Sequence, residues 1–168
     1  FMSLTAMQIK LLLEELRSLV VGGKVRKIWC QNDLALAIEI RVPGINRYLL
    51  YSLEENAVRV HLVPDKHSQP INPPSFIMHL RKYLTGAHMA ALDQSREDRV
   101  LRAQFDKLPS SEPDEENPTG TFFLLAELTG RHGNIFLLDS RQFILASLRP
   151  NHSYRRKLVP GEKYQYPA

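Results

Sequence analysis

The chain has 168 residues, 43% of them hydrophobic, and carries a formal net charge of +4. That size allows one domain with its own core and no metal or disulfide staple. Its single cysteine, Cys30, excludes an internal disulfide, and neither Cys30 nor the six scattered histidines show a zinc-ligand spacing.

Apolar runs in the chain are far shorter than the roughly 20 residues of a membrane span. The first residues also lack the basic region and cleavage site of a signal peptide. These patterns predict a cytoplasmic protein with no membrane contact, no metal and no cofactor.

Charge is unevenly distributed along the chain. Residues 106–119 contain five acidic residues against one lysine, a net of −4, so the remainder carries +8. A surplus of that size favours a polyanionic partner such as nucleic acid.

The first 62 residues predict one helix and four strands. Thr5 and Gln8 have capping-box spacing, and Gly22-Gly23 ends the helix. The apolar face predicted for this helix comprises Met7, Leu11, Leu12, Leu16, Leu19 and Val20. Alternating patterns then predict strands from Lys24 to a turn at 31–33, over 34–42 (half-buried), over 47–53 and over 57–62.

A polar loop at 64–74 leads to a second helix over 75–85, with Pro74 at its first turn. Strands are predicted over 88–93, 99–105, 121–128, 135–138 and 143–148. The acidic segment 106–119 is predicted to form a long flexible hairpin loop. Two helices with about eight mostly antiparallel strands indicate an α+β domain. We expect a two-sheet sandwich or open barrel with both helices alongside.

Asp98-Arg99 is the most informative pair for function. It follows a polar turn at 95–97 and opens a strand, where a buried core does not dictate residue identity. The planar fork of Arg99 suits phosphate, and Asp98 can orient that fork or accept a hydrogen bond from RNA. The alternative is a local ion pair at the start of the strand.

Further basic residues are candidate phosphate contacts. Arg131 lies in the turn Gly130-Arg131-His132-Gly133-Asn134, and the tail combines Arg149 and Tyr154 with Arg155, Arg156 and Lys157. Bases interleaved with an aromatic residue suit backbone neutralisation and stacking. A plain hairpin turn and a solvated tail are the alternatives.

Catalytic motifs are absent from the sequence. It has no nucleophile elbow, no Walker loop, no dinucleotide-binding fingerprint and no plausible Cys-His pairing. We therefore expect a binding domain and not an enzyme.

Five ordered motifs give the chain a family resemblance. They are E-L followed by G-G-K-V-x-K-I, P-P-S-F with L-R-K-Y-L, Q with E-D-R, E-L-x-G-R-H-G-N-I-x-L-x-D, and P-G-x-x-Y-x-x-P. Together they resemble the N-terminal domain of the NFACT family, the fibronectin-binding-protein-A-like proteins and their relatives in ribosome-associated quality control. The resemblance covers nearly the whole chain, so residues 2–168 are expected to form a single domain of a longer multidomain protein.

The resemblance implies a fold similar to the N-terminal domain of formamidopyrimidine-DNA glycosylases. It also implies binding to tRNA, specifically alanyl-tRNA, and to the large ribosomal subunit carrying peptidyl-tRNA. Family members of this kind support C-terminal tailing of stalled nascent chains, and the Asp-Arg pair, here Asp98-Arg99, is their tRNA-associated signature.

Two features depart from the family patterns. Many relatives have an aspartate seven residues before the Glu of the E-L pair, where this chain has Gln8. Glycosylases of the related fold attack with an N-terminal proline beside a glutamate, and Met2-Ser3-Leu4 offers neither. Two alternative functions are a nucleic-acid glycosylase or lyase, against which Met2-Ser3 argues, and a fibronectin-binding surface adhesin, against which the absent signal peptide and the single cysteine argue.

Overall fold

The computed structural model describes residues 5–54, 57–64, 73–95, 99–109, 116–129, 132–151 and 155–167 of the chain. Asp98, Arg131 and the central parts of the two predicted loops lie outside the described residues. The helices are α1 (Ala6–Val20) and α2 (Ser75–Leu84). The strands are β1 (Lys24–Asn32), β2 (Ala35–Val42), β3 (Ile45–Glu54), β4 (Ala57–Val63), β5 (His88–Gln94), β6 (Val100–Lys107), β7 (Gly120–Glu127), β8 (Asn134–Leu138) and β9 (Ile144–Ser147).

All of these strands join one sheet, in the order β4-β3-β2-β1-β5-β6-β7-β8-β9. Every pairing is antiparallel, so the predicted α+β class with a mostly antiparallel sheet and two helices is confirmed. The predicted division into two sheets is not confirmed, because the pairing of Lys24 with His88 connects β1 to β5.

Helix α1 begins with the predicted capping box. The Thr5 hydroxyl accepts from the Gln8 amide at 3.1 Å, and Gln8 Oε1 accepts from the Thr5 amide at 2.8 Å. The predicted apolar face is wrong at Met7 and Leu11, which are 62% and 60% exposed. The buried face comprises Ile9, Leu13, Leu16 and Val20.

A contact of Arg17 explains why α1 buries a different face from the predicted one. Its Nε donates to the Leu92 carbonyl at 2.7 Å, which turns the side of the helix bearing Arg17 toward β5. Leu13 and Val20 lie four residues before and three residues after Arg17, so they share that side and face the sheet. A helix that is apolar on several sides cannot be oriented from its periodicity alone.

One large core lies between the helices and one face of the sheet. It takes residues from α1, α2 and every strand. Helix α1 packs mainly on β5, with contacts to β2 and β4, and α2 packs on β1, β6 and β9. In α2 the predicted face is confirmed at Phe76, Ile77, Leu80 and Leu84, with Tyr83 packed at its margin.

The opposite face of the sheet carries two smaller apolar clusters. One comprises Trp29, Ala35, Ala37 and Leu50. The other comprises Val100, Leu125, Phe136, Leu138, Ile144, Leu158 and Tyr164, so the C-terminal segment covers β6–β9. Residues 35–40 of β2 are buried on both faces, and the prediction of a half-buried strand there is wrong.

The predicted loop at 106–119 begins later than expected. Asp106 and Lys107 belong to β6, where Asp106 accepts from the Thr121 hydroxyl at 2.9 Å. Lys107 is buried, and its Nζ donates to the Lys82 carbonyl at 3.1 Å, near the end of α2. Residues 110–115, where most of the acidic charge lies, are outside the described part of the chain.

Tyr51 provides a stability test of the core. The side chain is fully buried, and its hydroxyl has no hydrogen-bond partner among the described residues. Tyr51→Phe should therefore raise the free energy of unfolding by about 1 kcal/mol, the lower range for a desolvated unpaired hydroxyl. Urea unfolding near neutral pH measures this change, and a loss of stability would show that the hydroxyl is paired.

The same substitution has a second, pH-dependent readout. Burial raises the pKa of Tyr51, so above about pH 10 the unfolded chain releases the phenolic proton while the folded chain keeps it. This group's contribution to stability is intact below about pH 10 and declines by about 1.4 kcal/mol per pH unit above it. Tyr51→Phe should remove that part of the alkaline slope.

None of the described helices has the length and apolar character required to cross a bilayer.

Candidate nucleic-acid interface

Arg99 lies at one end of the sheet, immediately before β6. Its side chain is half-buried, and its carbonyl accepts from the Leu128 amide at 2.8 Å. On the other side of the predicted turn, the Ser95 amide donates to the Val100 carbonyl at 3.0 Å. These bonds tie the strand ends together and fix where Arg99 leaves the sheet.

The antiparallel register brings several termini to this same end. Val100 pairs with Glu127, and Glu127 pairs with Asn134. Helix α1 also begins here, since Gln94 at the end of β5 donates to the Ala6 carbonyl at 2.9 Å. We call this region, defined by Gln94, Arg99, Glu127, Asn134 and Arg149, the β5–β9 end.

A buried ion pair lies at the centre of the β5–β9 end. Glu127 is 2% exposed and receives a two-pronged contact from Arg156, with Nη1 to Oε2 at 2.8 Å and Nη2 to Oε1 at 3.0 Å. The Tyr164 hydroxyl donates to the same carboxylate, and Arg156 also donates to the Gln165 carbonyl at 2.9 Å. The C-terminal segment is thereby attached to the last residue of β7.

The contacts with Glu127 and the burial of this cluster shift the pKa values of Arg156 and Tyr164. The hydrogen bonds from Arg156 to Glu127 raise the pKa of the guanidinium, which stays charged. Burial, reinforced by the Glu127 carboxylate, raises the pKa of Tyr164, which stays protonated as a donor. Because bidentate Arg-carboxylate pairs are geometrically specific, the cluster fixes one position of the segment.

Asn134 organises the next strand ending. Its side-chain nitrogen donates to the Arg149 carbonyl at 3.0 Å, and its side-chain oxygen accepts from the amides of Ile135 and Arg149 at 2.8 and 3.0 Å. The Arg149 guanidinium in turn donates to the Gly133 carbonyl at 3.1 Å. Asn134 thus anchors the chain that leaves β9.

The predicted basic residues differ in their surroundings. Arg155 is exposed, and Lys157 forms a surface ion pair with Glu162 at 3.2 Å. Arg156 points inward to Glu127, so its charge is already compensated inside the protein. We therefore reassign Arg156 from phosphate contact to anchor of the C-terminal segment. Arg131 and Asp98 lie outside the described residues.

The two partners of Arg156 were not recognised as site residues in the sequence. Glu127 ends an apolar strand and Tyr164 lies 37 residues further on, so no local spacing connects them. The available signal was an acidic residue inside the run F-F-L-L-A-E-L, since an acid among buried positions needs a partner.

Comparison with known proteins settles the family. The family described as "NFACT N-terminal and middle domains" matches residues 5–168. The chain belongs to the NFACT family. The resemblance recognised in its motifs is confirmed.

Named relatives of this NFACT chain include "Rqc2 homolog RqcH" of Bacillus subtilis, which is 31% identical over 157 residues. That alignment covers 91% of this chain and 27% of the relative. "Ribosome quality control complex subunit 2" of Saccharomyces cerevisiae is 25% identical, with 96% of this chain and 14% of the relative covered. The chain therefore spans about a quarter or less of these two relatives, the second of which is named as a ribosome quality control subunit.

A solved structure has the same fold. It is described as the N-terminal part of the fibronectin/fibrinogen-binding protein from Streptococcus suis, with a TM-score of 0.88 and 29% identity. The match covers 99% of this chain and 62% of the solved chain.

Two NFACT motifs acquire a physical explanation at the β5–β9 end. Glu127 and Asn134 come from E-L-x-G-R-H-G-N, and Tyr164 comes from P-G-x-x-Y. Their side chains hold strand ends and the C-terminal segment in place. Gln8 is engaged with Thr5 in the cap of α1.

Proposed function

We propose that this NFACT chain is a non-catalytic tRNA-binding domain of a ribosome-associated quality-control factor. In this proposal it acts in the cytoplasm on the large ribosomal subunit carrying peptidyl-tRNA. It supports recruitment of alanyl-tRNA for C-terminal tailing of stalled nascent chains. The β5–β9 end, with Arg99, is the proposed tRNA contact. Asp98 and Arg99 are the proposed tRNA-binding pair, and Arg131, Arg155 and Lys157 are the proposed phosphate contacts.

The observation that carries the proposal is the convergence of basic segments at the β5–β9 end. Arg99 lies there immediately before β6, and the Glu127–Arg156 pair attaches the segment bearing Arg155 to the adjacent strand, β7. Strand ends of a rigid sheet are suited to position side chains for binding. The name of the Saccharomyces cerevisiae relative, a ribosome quality control complex subunit, supports the ribosome-associated part of the proposal.

Arg99→Ala and Asp98→Ala test the proposal. Loss of one charge-assisted contact should weaken binding of alanyl-tRNA by about 1.5–3 kcal/mol, or roughly 10- to 150-fold. Fluorescence anisotropy with labelled alanyl-tRNA measures the dissociation constant, and thermal melting of each variant verifies the fold. In the full-length protein, both substitutions should reduce tRNA on stalled large subunits while leaving ribosome association in place.

Arg141→Ala is the matched control. Arg141 is exposed in the turn after β8, whose first residue, Asn134, lies at the β5–β9 end, so this turn lies at the opposite end of the sheet. The control should bind as tightly as the parent chain. Unfolding of both test variants would instead assign Asp98-Arg99 a structural role, and unchanged tRNA binding would reject the pair as the contact.

Two further assays separate the alternative functions. Cleavage of a damaged-base duplex would favour a glycosylase or lyase. Binding to immobilised fibronectin that is insensitive to Arg99→Ala, without tRNA binding, would favour an adhesin; the Streptococcus suis structure is described as part of a fibronectin/fibrinogen-binding protein.

A further inference from the structure

The edge of β1 makes only one sheet pairing with β5, and α2 covers the edge beyond that pairing. Arg81 of α2 donates through Nε to the Ile28 carbonyl at 2.8 Å. The turn after α2 continues this closure, because the Gly86 amide donates to the Val25 carbonyl at 2.9 Å. The helix thus covers a strand edge that the sheet leaves largely unpaired, and a crevice lies along the contact.

A β-bulge places two cations beside this crevice. The register of β1 against β2 shifts between Val25 and Lys27, so Arg26 is an extra residue. Both Arg26 and Lys27 are exposed, whereas strict alternation would bury one of them. Bulges re-aim side chains, and this one directs two neighbouring positive charges outward.

The crevice is lined by Arg26, Lys27, Ile28, Arg81 and Thr85 and has a volume of about 360 Å³. Three of these five residues are cationic and none is acidic. The crevice beside α1, about 180 Å³, has a different character, because it includes Glu14 and Asp93 and contains the Arg17–Asp93 ion pair at 3.4 Å. Of these two crevices, the one at β1 and α2 suits an anion.

The C-terminal end of α2, which lies at this crevice, would otherwise oppose an anion. Backbone carbonyls give the last turn of a helix a partial negative charge. Here Lys107 Nζ donates to the Lys82 carbonyl at 3.1 Å from the buried side. The partial charge is therefore countered from within, and Arg26 and Lys27 lie exposed at the crevice.

We propose that this crevice, the β1–α2 cleft, binds the phosphodiester backbone of RNA as a second contact site. The inference rests on the proposed function for the class of ligand. Two of the five family motifs, G-G-K-V-x-K-I and L-R-K-Y-L, meet at the cleft and have no part in the β5–β9 end. The exposed guanidinium fork of Arg26, with the point charge of Lys27 and the Thr85 hydroxyl beside it, suits phosphate oxygens.

The cleft is separate from the β5–β9 end. Strand β1 pairs with β5 at His88, the first residue of β5, whereas the β5–β9 end begins at Gln94, its last residue. Seven residues of strand span about 20 Å. Variants at the two sites can therefore be interpreted independently.

The test uses the 168-residue chain, a labelled unstructured RNA oligonucleotide and labelled alanyl-tRNA, over a series of KCl concentrations. The test variant combines Arg26→Gln and Lys27→Gln. If each residue neutralises one phosphate, the slope of log affinity against log salt should become shallower by about 1.4–1.8, with about tenfold weaker binding at low salt. If the double variant fails to fold, either single variant should change the slope by about 0.7–0.9.

The matched control combines Arg59→Gln and Arg141→Gln, which remove the same charge at exposed positions on β4 and after β8. It should leave the slope unchanged. A parental slope in the test variant, with Arg99→Ala still weakening tRNA binding, would overturn the cleft alone. No RNA binding by the parent chain would overturn both sites. Selective binding of poly-glutamate or of anionic phospholipid vesicles through Arg26 and Lys27 would overturn RNA as the ligand.

Discussion

Replacing Glu127 by alanine is expected to lower the free energy of unfolding by about 3 kcal/mol, the lower range for breaking a buried ion pair. The carboxylate is almost fully buried, while the Arg156 side chain is 22% exposed. Solvent can therefore partly hydrate the unpaired guanidinium, which limits the loss of stability. The substitution leaves the guanidinium without its partner and the Tyr164 hydroxyl without an acceptor. Urea unfolding measures the change.

Lys157→Ala is the control for Glu127→Ala. It removes the neighbouring ion pair with Glu162, in which the two side chains are 74% and 45% exposed. Exposed pairs contribute little, so this variant should lose about 0.5 kcal/mol or less. Equal effects of the two substitutions would contradict the anchoring role of Glu127.

Gly23→Ala is expected to cost about 2–3 kcal/mol through overpacking. A Cβ at this position would lie 2.3 Å from Ile40 Cγ2, 2.9 Å from Val42 Cγ1 and 3.0 Å from the Val20 carbonyl oxygen. The methyl groups belong to β-branched side chains on β2, which have little rotamer freedom to withdraw. Thermal and urea unfolding both report the loss.

Gly22→Ala is the control that distinguishes a steric clash from the cost of a left-handed backbone. Gly22 has a φ of +91°, and nothing lies within 4 Å of a Cβ there, so alanine should cost only the roughly 1 kcal/mol of a left-handed residue.

Ile40→Ala should partly relieve the clash that Gly23→Ala creates, so the double variant should be more stable than the sum of the single effects predicts. Strict additivity would indicate that Ile40 is not the obstacle.

Local sequence signals predicted the elements well because turns and caps are encoded locally. The Thr5–Gln8 capping box is confirmed by its hydrogen bonds, and Gly22 accepts a positive φ after α1. Predicted strand boundaries lie within about two residues of those observed. The apolar side of α2 was also correct, since its polar residues leave only one continuous stripe.

Tertiary relations were harder to predict. The orientation of α1 depends on Arg17 reaching Leu92, 75 residues away. The burial of both faces of β2 depends on neighbouring strands and on Trp29. A side chain at position 23 would collide with Ile40 on β2. Glycine is therefore needed there for space, whereas its sequence context suggests a role in ending α1.

At the candidate interface, the sequence located Arg99 at a strand start but did not distinguish Arg156 from its neighbours. Arg155, Arg156 and Lys157 form one basic run in the sequence, yet only Arg156 turns toward Glu127. That choice depends on a carboxylate brought close by the pairing of β7 with β6 and β8. Composition therefore indicates a basic surface, and topology decides which charges remain on it.

The strand order has a consequence for how the chain folds. Among the described strands, seven of the eight pairings join neighbours along the chain, and only the pairing of Lys24 with His88 joins strands that are distant in sequence. The loop-closure entropy of a long connection is therefore lost chiefly once, when β1–β4 and β5–β9 come together. Each meander can grow from its own hairpins before that step, and this favours fast folding for a domain so rich in strands.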